Sequence, residues 1–214
     1  TRISLVGVIT LVPARVPFQP TSLVSLGKVL SAPRSMLAVT FTISFLAAIY
    51  VLYTYVAPLL EEKMSFGRDG VTFMLTLFGL GAVVGNILGG FLTDKVGGFR
   101  TLIVLCVAQI TVLPVFSLLP FSEALVAAAM FGWSVVGWSF MVPQQARLIE
   151  LAPEQQNIVL SLNSACIYLG ASLGSARGAM VISIWSIAAS GVAAAIAMGA
   201  AFAHLLLSSV LQRE

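Results

Sequence analysis

Apolar residues fill long stretches of the chain almost without interruption, and polar residues collect in short clusters between them. A hydrocarbon core about 30 Å thick takes about 20 helical residues per crossing. On that measure the pattern predicts spanning helices over 36–60, 71–93, 99–119, 123–150, 153–182 and 188–211. Residues 13–34 break the pattern with Pro13, Pro17, Pro20 and Pro33, and their charges are Arg15, Lys28 and Arg34. They read as a loop outside the membrane core, within which 22–30 can form a short helix on the membrane surface. Residues 1–12 are apolar but too short to span, and read as the tail of a preceding transmembrane helix. Residues 35–214 then form one six-helix bundle.

Local signals set the ends. Pro120, Ser122 and Glu123 make a turn and a helix start, because serine caps and glutamate suits the positive end of the helix dipole. Pro153 suits a first helical position, Pro143 predicts a kink, and Trp185 reads as an interfacial aromatic. Six crossings put both ends of the bundle on one side. That side collects Arg15, Lys28, Arg34, Lys95, Arg100, Arg147 and Arg213, against Lys63 and Arg68 on the other. Basic residues favour the cytoplasmic side, so the loop at 13–34, the turn at 94–100 and the C-terminus are expected there, in a multi-pass protein of the cell membrane.

Composition sharpens the class. Of the 214 residues 59% are hydrophobic and 9% charged, against roughly a quarter charged in soluble domains. The fold class is therefore all-α and integral to the membrane, with the lipid bilayer as its surroundings. The net charge of +3 belongs to loops, and without a basic cluster it gives no reason to expect nucleic acid as a partner. Cys106 and Cys166 lie in apolar runs without paired spacing, which points to packing rather than a disulfide or a metal. There is one histidine, no zinc-type His-Glu-x-x-His pattern, no Gly-x-Ser-x-Gly elbow and no phosphate-loop lysine. No catalytic residue, metal ligand or cofactor is assigned.

Two glycine stripes stand out. Gly81, Gly85 and Gly89 in the second helix, and Gly170, Gly174 and Gly178 in the fifth, recur at a spacing of four, on one helical face. They allow either static close packing within the bundle or a smooth interface along which another bundle slides. Polar residues inside spans need a partner or water. Asn86, Asn163 and Gln109 fit interhelical hydrogen bonds. Tyr50, Tyr53 and Thr54, with Trp133, Ser134 and Trp138, suit either the wall of a cavity for amphipathic ligands or an interfacial belt. Arg177 lies about 36 Å along its helix, close enough to the surface to reach headgroups by extending its side chain, the alternative being a substrate or proton role. His204 lacks an acidic partner at its depth, and no Asp or Glu falls in the middle of a span.

The turn at 90–100 carries the remaining signal. Gly90-x-x-x-Asp94-Lys95-x-Gly97 lies between two spans, with Arg100 just beyond, and resembles the signature loop of the major facilitator superfamily. The chain departs from that loop after Gly97, with Gly98 and Phe99 where basic residues are usual. The stretches Leu80-Gly-Ala-Val-Val-Gly-Asn-Ile-Leu-Gly-Gly90 and Leu162-Asn-Ser-Ala-Cys-Ile-Tyr-Leu-Gly-Ala-Ser-Leu-Gly174 resemble the eighth and eleventh helices of bacterial drug:proton antiporters and of arabinose-type sugar-efflux permeases.

The resemblance implies the C-terminal six-helix bundle of a transporter, built from two inverted three-helix repeats and completed by a missing N-terminal six-helix half. It implies proton-coupled efflux of drugs, sugars or other small molecules by alternating access. It also implies substrate contact by Tyr50, Tyr53, Trp133 and Trp138, and a gating role for Asp94 within the loop formed by Gly90, Lys95, Gly97 and Arg100. The glycine stripes, with Asn86 and Asn163, would then face the other bundle. A self-contained six-helix channel or oligomeric membrane module is the competing reading. An intramembrane enzyme would need a paired catalytic set that the sequence does not offer.

Overall fold

A computed structural model describes residues 23–210, and every described regular element is helical. A short helix α1, Leu23–Leu30, stands where 22–30 were expected to form one. The predicted crossings follow as α2 (Pro33–Tyr53) with α3 (Val56–Met64), α4 (Arg68–Val96), α5 (Gly98–Val112) with a 3₁₀ turn (Leu113–Leu118), α6 (Glu123–Trp138) with α7 (Met141–Leu151), α8 (Gln156–Ile184) after a 3₁₀ turn (Pro153–Gln155), and α9 (Ala189–Val210). Among the described residues, six helical segments are thus long and apolar enough to cross a membrane. The expected tail at 1–12 lies outside the described residues.

Three crossings are broken rather than continuous, and proline explains where. A proline lacks an N–H and its ring collides with the carbonyl four residues earlier. Pro58 therefore disturbs Thr54, where α2 gives way to α3, and Pro143 disturbs Ser139, where α6 gives way to α7. The expected kink at Pro143 is thus an interruption one turn upstream. Pro114 accompanies the tightening of α5 into its 3₁₀ end.

The bundle is held by two parallel helix pairs of the same design. Gly81, Gly85 and Gly89 of α4 lie against the carbonyls of Phe131, Val135 and Ser139 in α6, in matching steps of four residues. Gly170, Gly174 and Gly178 of α8 lie in the same way against Ile43, Ala47 and Val51 of α2. At each glycine a Cβ would meet a backbone oxygen, so only glycine permits this approach. The second helix of each half thereby packs on the first helix of the other, which interlocks the halves. Helices α5 and α9 flank them, with Gly191 of α9 against the Leu113 carbonyl and Ser117.

An aromatic core fills the centre. The rings of Phe45 and Phe140 stack with centroids 4.1 Å apart, and Trp133 meets Phe78 and Phe116 at 5.0 and 4.9 Å. Offset and tilted arrangements of this kind suit the ring quadrupoles. Outward faces stay apolar: Leu80, Val83, Ile87 and Phe91 line the exposed side of α4, and Tyr168, Leu169 and Leu173 that of α8. Such faces suit hydrocarbon or another apolar surface.

Candidate functional site

The two proline-induced breaks flank one cavity. Its volume is about 100 Å³, and its walls include Tyr50 and Tyr53 from α2 and Trp133, Gly137 and Trp138 from α6, with Phe78, Phe140 and Met141 around them. Counted back from Met64 and forward from Glu123 at about 1.5 Å per residue, these aromatics lie about 15 to 22 Å from the face opposite the 94–100 turn, near the middle of a bilayer. Tyr50 and Tyr53 meet edge to face at 5.2 Å, and Tyr53 reaches Trp133 at 6.3 Å. Trp133 is buried, whereas Trp138 is 39% exposed at the rim. The structure thus gathers four of the six residues singled out for this role. The cavity is smaller than the roughly 300–1,000 Å³ of a complete small-molecule pocket.

The other two candidates hold helices together instead. Ser134 is fully buried and donates to the Phe78 carbonyl. Thr54 shares a 2.7 Å hydrogen bond with Ser175 of α8, beside the Tyr55 hydroxyl donating to the Ser175 carbonyl at 2.9 Å. Hydroxyls in an apolar sequence find partners wherever a neighbouring backbone comes close, and the glycine stripes bring it close.

The glycine stripes are correspondingly committed. Gly81, Gly85 and Gly89 are buried against α6, and Gly170, Gly174 and Gly178 against α2. Of the two arrangements the spacing allowed, the stripes adopt packing inside the bundle, and the expectation that they face another bundle is corrected. Asn163 follows them inward. Thr42 donates to Asn163 Oδ1 at 2.6 Å, and Gln144 Nε2 donates to the Ala38 carbonyl at 2.8 Å and to Thr42 Oγ1 at 2.9 Å. This node ties α2, α7 and α8 together. Asn86 instead stays exposed and donates to the Ala82 carbonyl of its own helix.

Gln109 behaves otherwise than expected. It is fully buried, yet neither atom of its carboxamide has a hydrogen-bond partner among the described residues. His204 is paired: Nε2 lies 3.1 Å from the Leu37 carbonyl and Nδ1 2.8 Å from Ser44 Oγ. A carbonyl only accepts, so Nε2 carries a hydrogen, whereas the serine hydroxyl can donate to Nδ1 or accept from it. Arg177 is exposed at the far end of α8, near Trp185.

At the opposite end, Thr93 Oγ1 donates to the Gly89 carbonyl and the Gly97 N–H to the Thr93 carbonyl, closing α4. Gly97 turns the chain at φ +85°, a conformation that favours glycine, and α5 starts at once. Gly90 has open space around its Cα, Asp94 and Arg100 are exposed, and the Lys95 ammonium lies 4.3 Å from the centre of the Phe91 ring. Sequence reading left the residues after Gly97 without a reason. A Cβ at Gly98 would come within 2.7 Å of the Pro143 carbonyl, and the Phe99 ring lies 5.5 Å from the guanidinium of Arg147. That arginine is buried, and its Nη2 donates to Ser208 at 2.6 Å. Arg147 of α7 thus lies folded beside the Phe99 ring at this turn.

Residues 4–175 match the Major Facilitator Superfamily. The inner membrane transport protein YdhP of Escherichia coli (strain K12) is 32% identical over 181 residues, covering 84% of this chain and 45% of that protein. An MFS-type transporter of Bacillus subtilis (strain 168), YbcL, is 28% identical over 152 residues, covering 71% of this chain and 39% of that protein. The chain spans less than half the length of these curated relatives. A match over most of its length, in a chain whose described residues hold six helices long and apolar enough to cross a membrane, makes this chain a member of the Major Facilitator Superfamily.

Proposed function

We propose that these six helices are the C-terminal half of a secondary active transporter, which exports small, largely uncharged amphipathic molecules or sugars in exchange for protons. One observation carries the reading: in a chain of this superfamily, an aromatic cavity lies at mid-depth where the broken first helices of both halves meet. Helices interrupted at the bilayer midplane are where transporters commonly bind their cargo. The cavity is smaller than a complete small-molecule pocket, which supports a second six-helix bundle that completes it, and the length of the relatives leaves room for one. The excess of basic residues on the side of the 94–100 turn supports a cytoplasmic turn, with Asp94 in position to hold that side closed in one state. No carboxylate lies in the middle of a described span, so the proton-titrating group is assigned to the other bundle.

The test uses the full-length protein in vesicles with an imposed pH gradient, screening neutral aromatic and sugar compounds for proton flux on addition. Trp138→Ala lowers substrate-dependent flux about tenfold or more, the scale of one well-packed aromatic contact. Trp185→Ala, on an exposed side chain away from the cavity, leaves it unchanged. Transport without proton movement refutes the coupling. Equal effects of both substitutions refute the cavity as the binding site.

A further inference from the structure

We propose that Gln109 is the polar recognition group of the aromatic cavity, reaching it from α5 through the gap left by Gly137, and that it selects neutral ligands bearing a hydroxyl or carboxamide group. Gln109 is fully buried with both carboxamide atoms unpartnered among the described residues. Its polar neighbours in the interior differ: Asn163, Ser134 and Ser139 each make a hydrogen bond. A Cβ placed on Gly137 would stand 3.1 Å from Gln109 Nε2 and 3.7 Å from Ile49 Cδ1, and both Gly137 and Ile49 line the cavity. The amide is thus separated from the cavity by the one wall position that carries no side chain.

A third unpartnered atom borders the same wall. Trp133 lies one helical turn before Gly137 on α6, lines the cavity, and has a buried indole N–H without an acceptor. Buried polar atoms left open cost stability unless something occupies them, so this pair marks where a ligand's polar group belongs. The chemistry follows from what the wall offers. Gln109 supplies a donor and an acceptor together, which a hydroxyl or a carboxamide satisfies at once. The cavity lining contains no charged residue, so an ion would lose its hydration without gaining a counter-charge. Gln109 lies about 16 Å along α5 and Gly137 about 21 Å along α6, which puts both near mid-membrane.

This inference rests on the transporter reading, and its test separates the two. The full-length protein in lipid nanodiscs is titrated with 4-nitrobenzyl alcohol and with 4-nitrotoluene, read as quenching of tryptophan emission against empty nanodiscs. Gln109→Leu weakens the alcohol about tenfold and the toluene less than about twofold, the scale of one hydrogen bond. Gly137→Ala, whose Cβ would fill the gap and press on the amide, reproduces the selective loss, and Gln109→Met provides a second apolar replacement should the leucine variant not fold. Equal changes for both probes, or none, overturn the role of Gln109 while leaving the cavity as a binding site. Absence of binding by either probe to the unmodified protein overturns the recognition role, and unchanged transport in Trp138→Ala then shows that the cavity reading has failed too.

Discussion

At Gly85 and Gly174 a single hydrogen atom decides how close two helices come. A Cβ at Gly85 would meet the Val135 carbonyl and one at Gly174 the Ala47 carbonyl, and backbone cannot yield as a side-chain tip can. Gly85→Ala and Gly174→Ala therefore each destabilise the bundle by about 1–3 kcal/mol, the usual cost of overpacking. Gly79 and Gly132 have open space at the same position, and Gly79→Ala and Gly132→Ala raise stability by roughly 0.5–1 kcal/mol through helix propensity. Thermal unfolding of the four variants in one detergent shows the contrast, and equal shifts would contradict the packing described. The spacing of these glycines was readable from the sequence, but their partner was not. A stripe announces a close neighbour, and only the fold says whether that neighbour is in the same bundle. Gln109 misled for the same reason: a buried amide in an apolar run implies a partner, yet it has none among the described residues.

Helix breaks and cross-links belong to the next scale. The number of crossings and their ends followed from hydrophobic length, with shifts of a few residues where the helices extend beyond the apolar run, as α4 does from Arg68 to Val96. The interruptions at Thr54 and Ser139 were less visible, because proline acts four residues upstream of its own position. The node of Thr42, Gln144 and Asn163 could not be read from sequence at all. Its members are widely separated along the chain and meet only because α2, α7 and α8 converge. Asn163→Ala is expected to cost about 1 kcal/mol, in keeping with interhelical hydrogen bonds in membranes. The double variant with Thr42→Val should cost less than the two separate losses summed, because both remove the Thr42–Asn163 bond, while Thr42→Val also removes the one from Gln144. Chemical or thermal denaturation of the single and double variants measures this. Fully additive losses would show that the node is not one unit.

Across the whole molecule, the interlocked halves place two broken helices around a mid-membrane aromatic cavity, and the charged turn sits over a buried arginine at one end. The family was legible in the turn and the glycine-rich stretches, since both are short, local patterns. The cavity was legible in part: Tyr50, Tyr53, Trp133 and Trp138 converge there, whereas Thr54 and Ser134 serve neighbouring helices. Its aromatic rings set that division, because they fill the space between the two breaks and leave the hydroxyls to the helix contacts around it. The central claim is that this cavity opens in turn to each side of the membrane. In the full-length protein with native cysteines replaced, Trp138→Cys is treated in oriented vesicles with a membrane-impermeant maleimide from one side and then, separately, from the other. The account predicts labelling from both sides, with Ile196→Cys on the exposed apolar face of α9 unlabelled; labelling of Trp138→Cys from one side alone, or from neither, would contradict it.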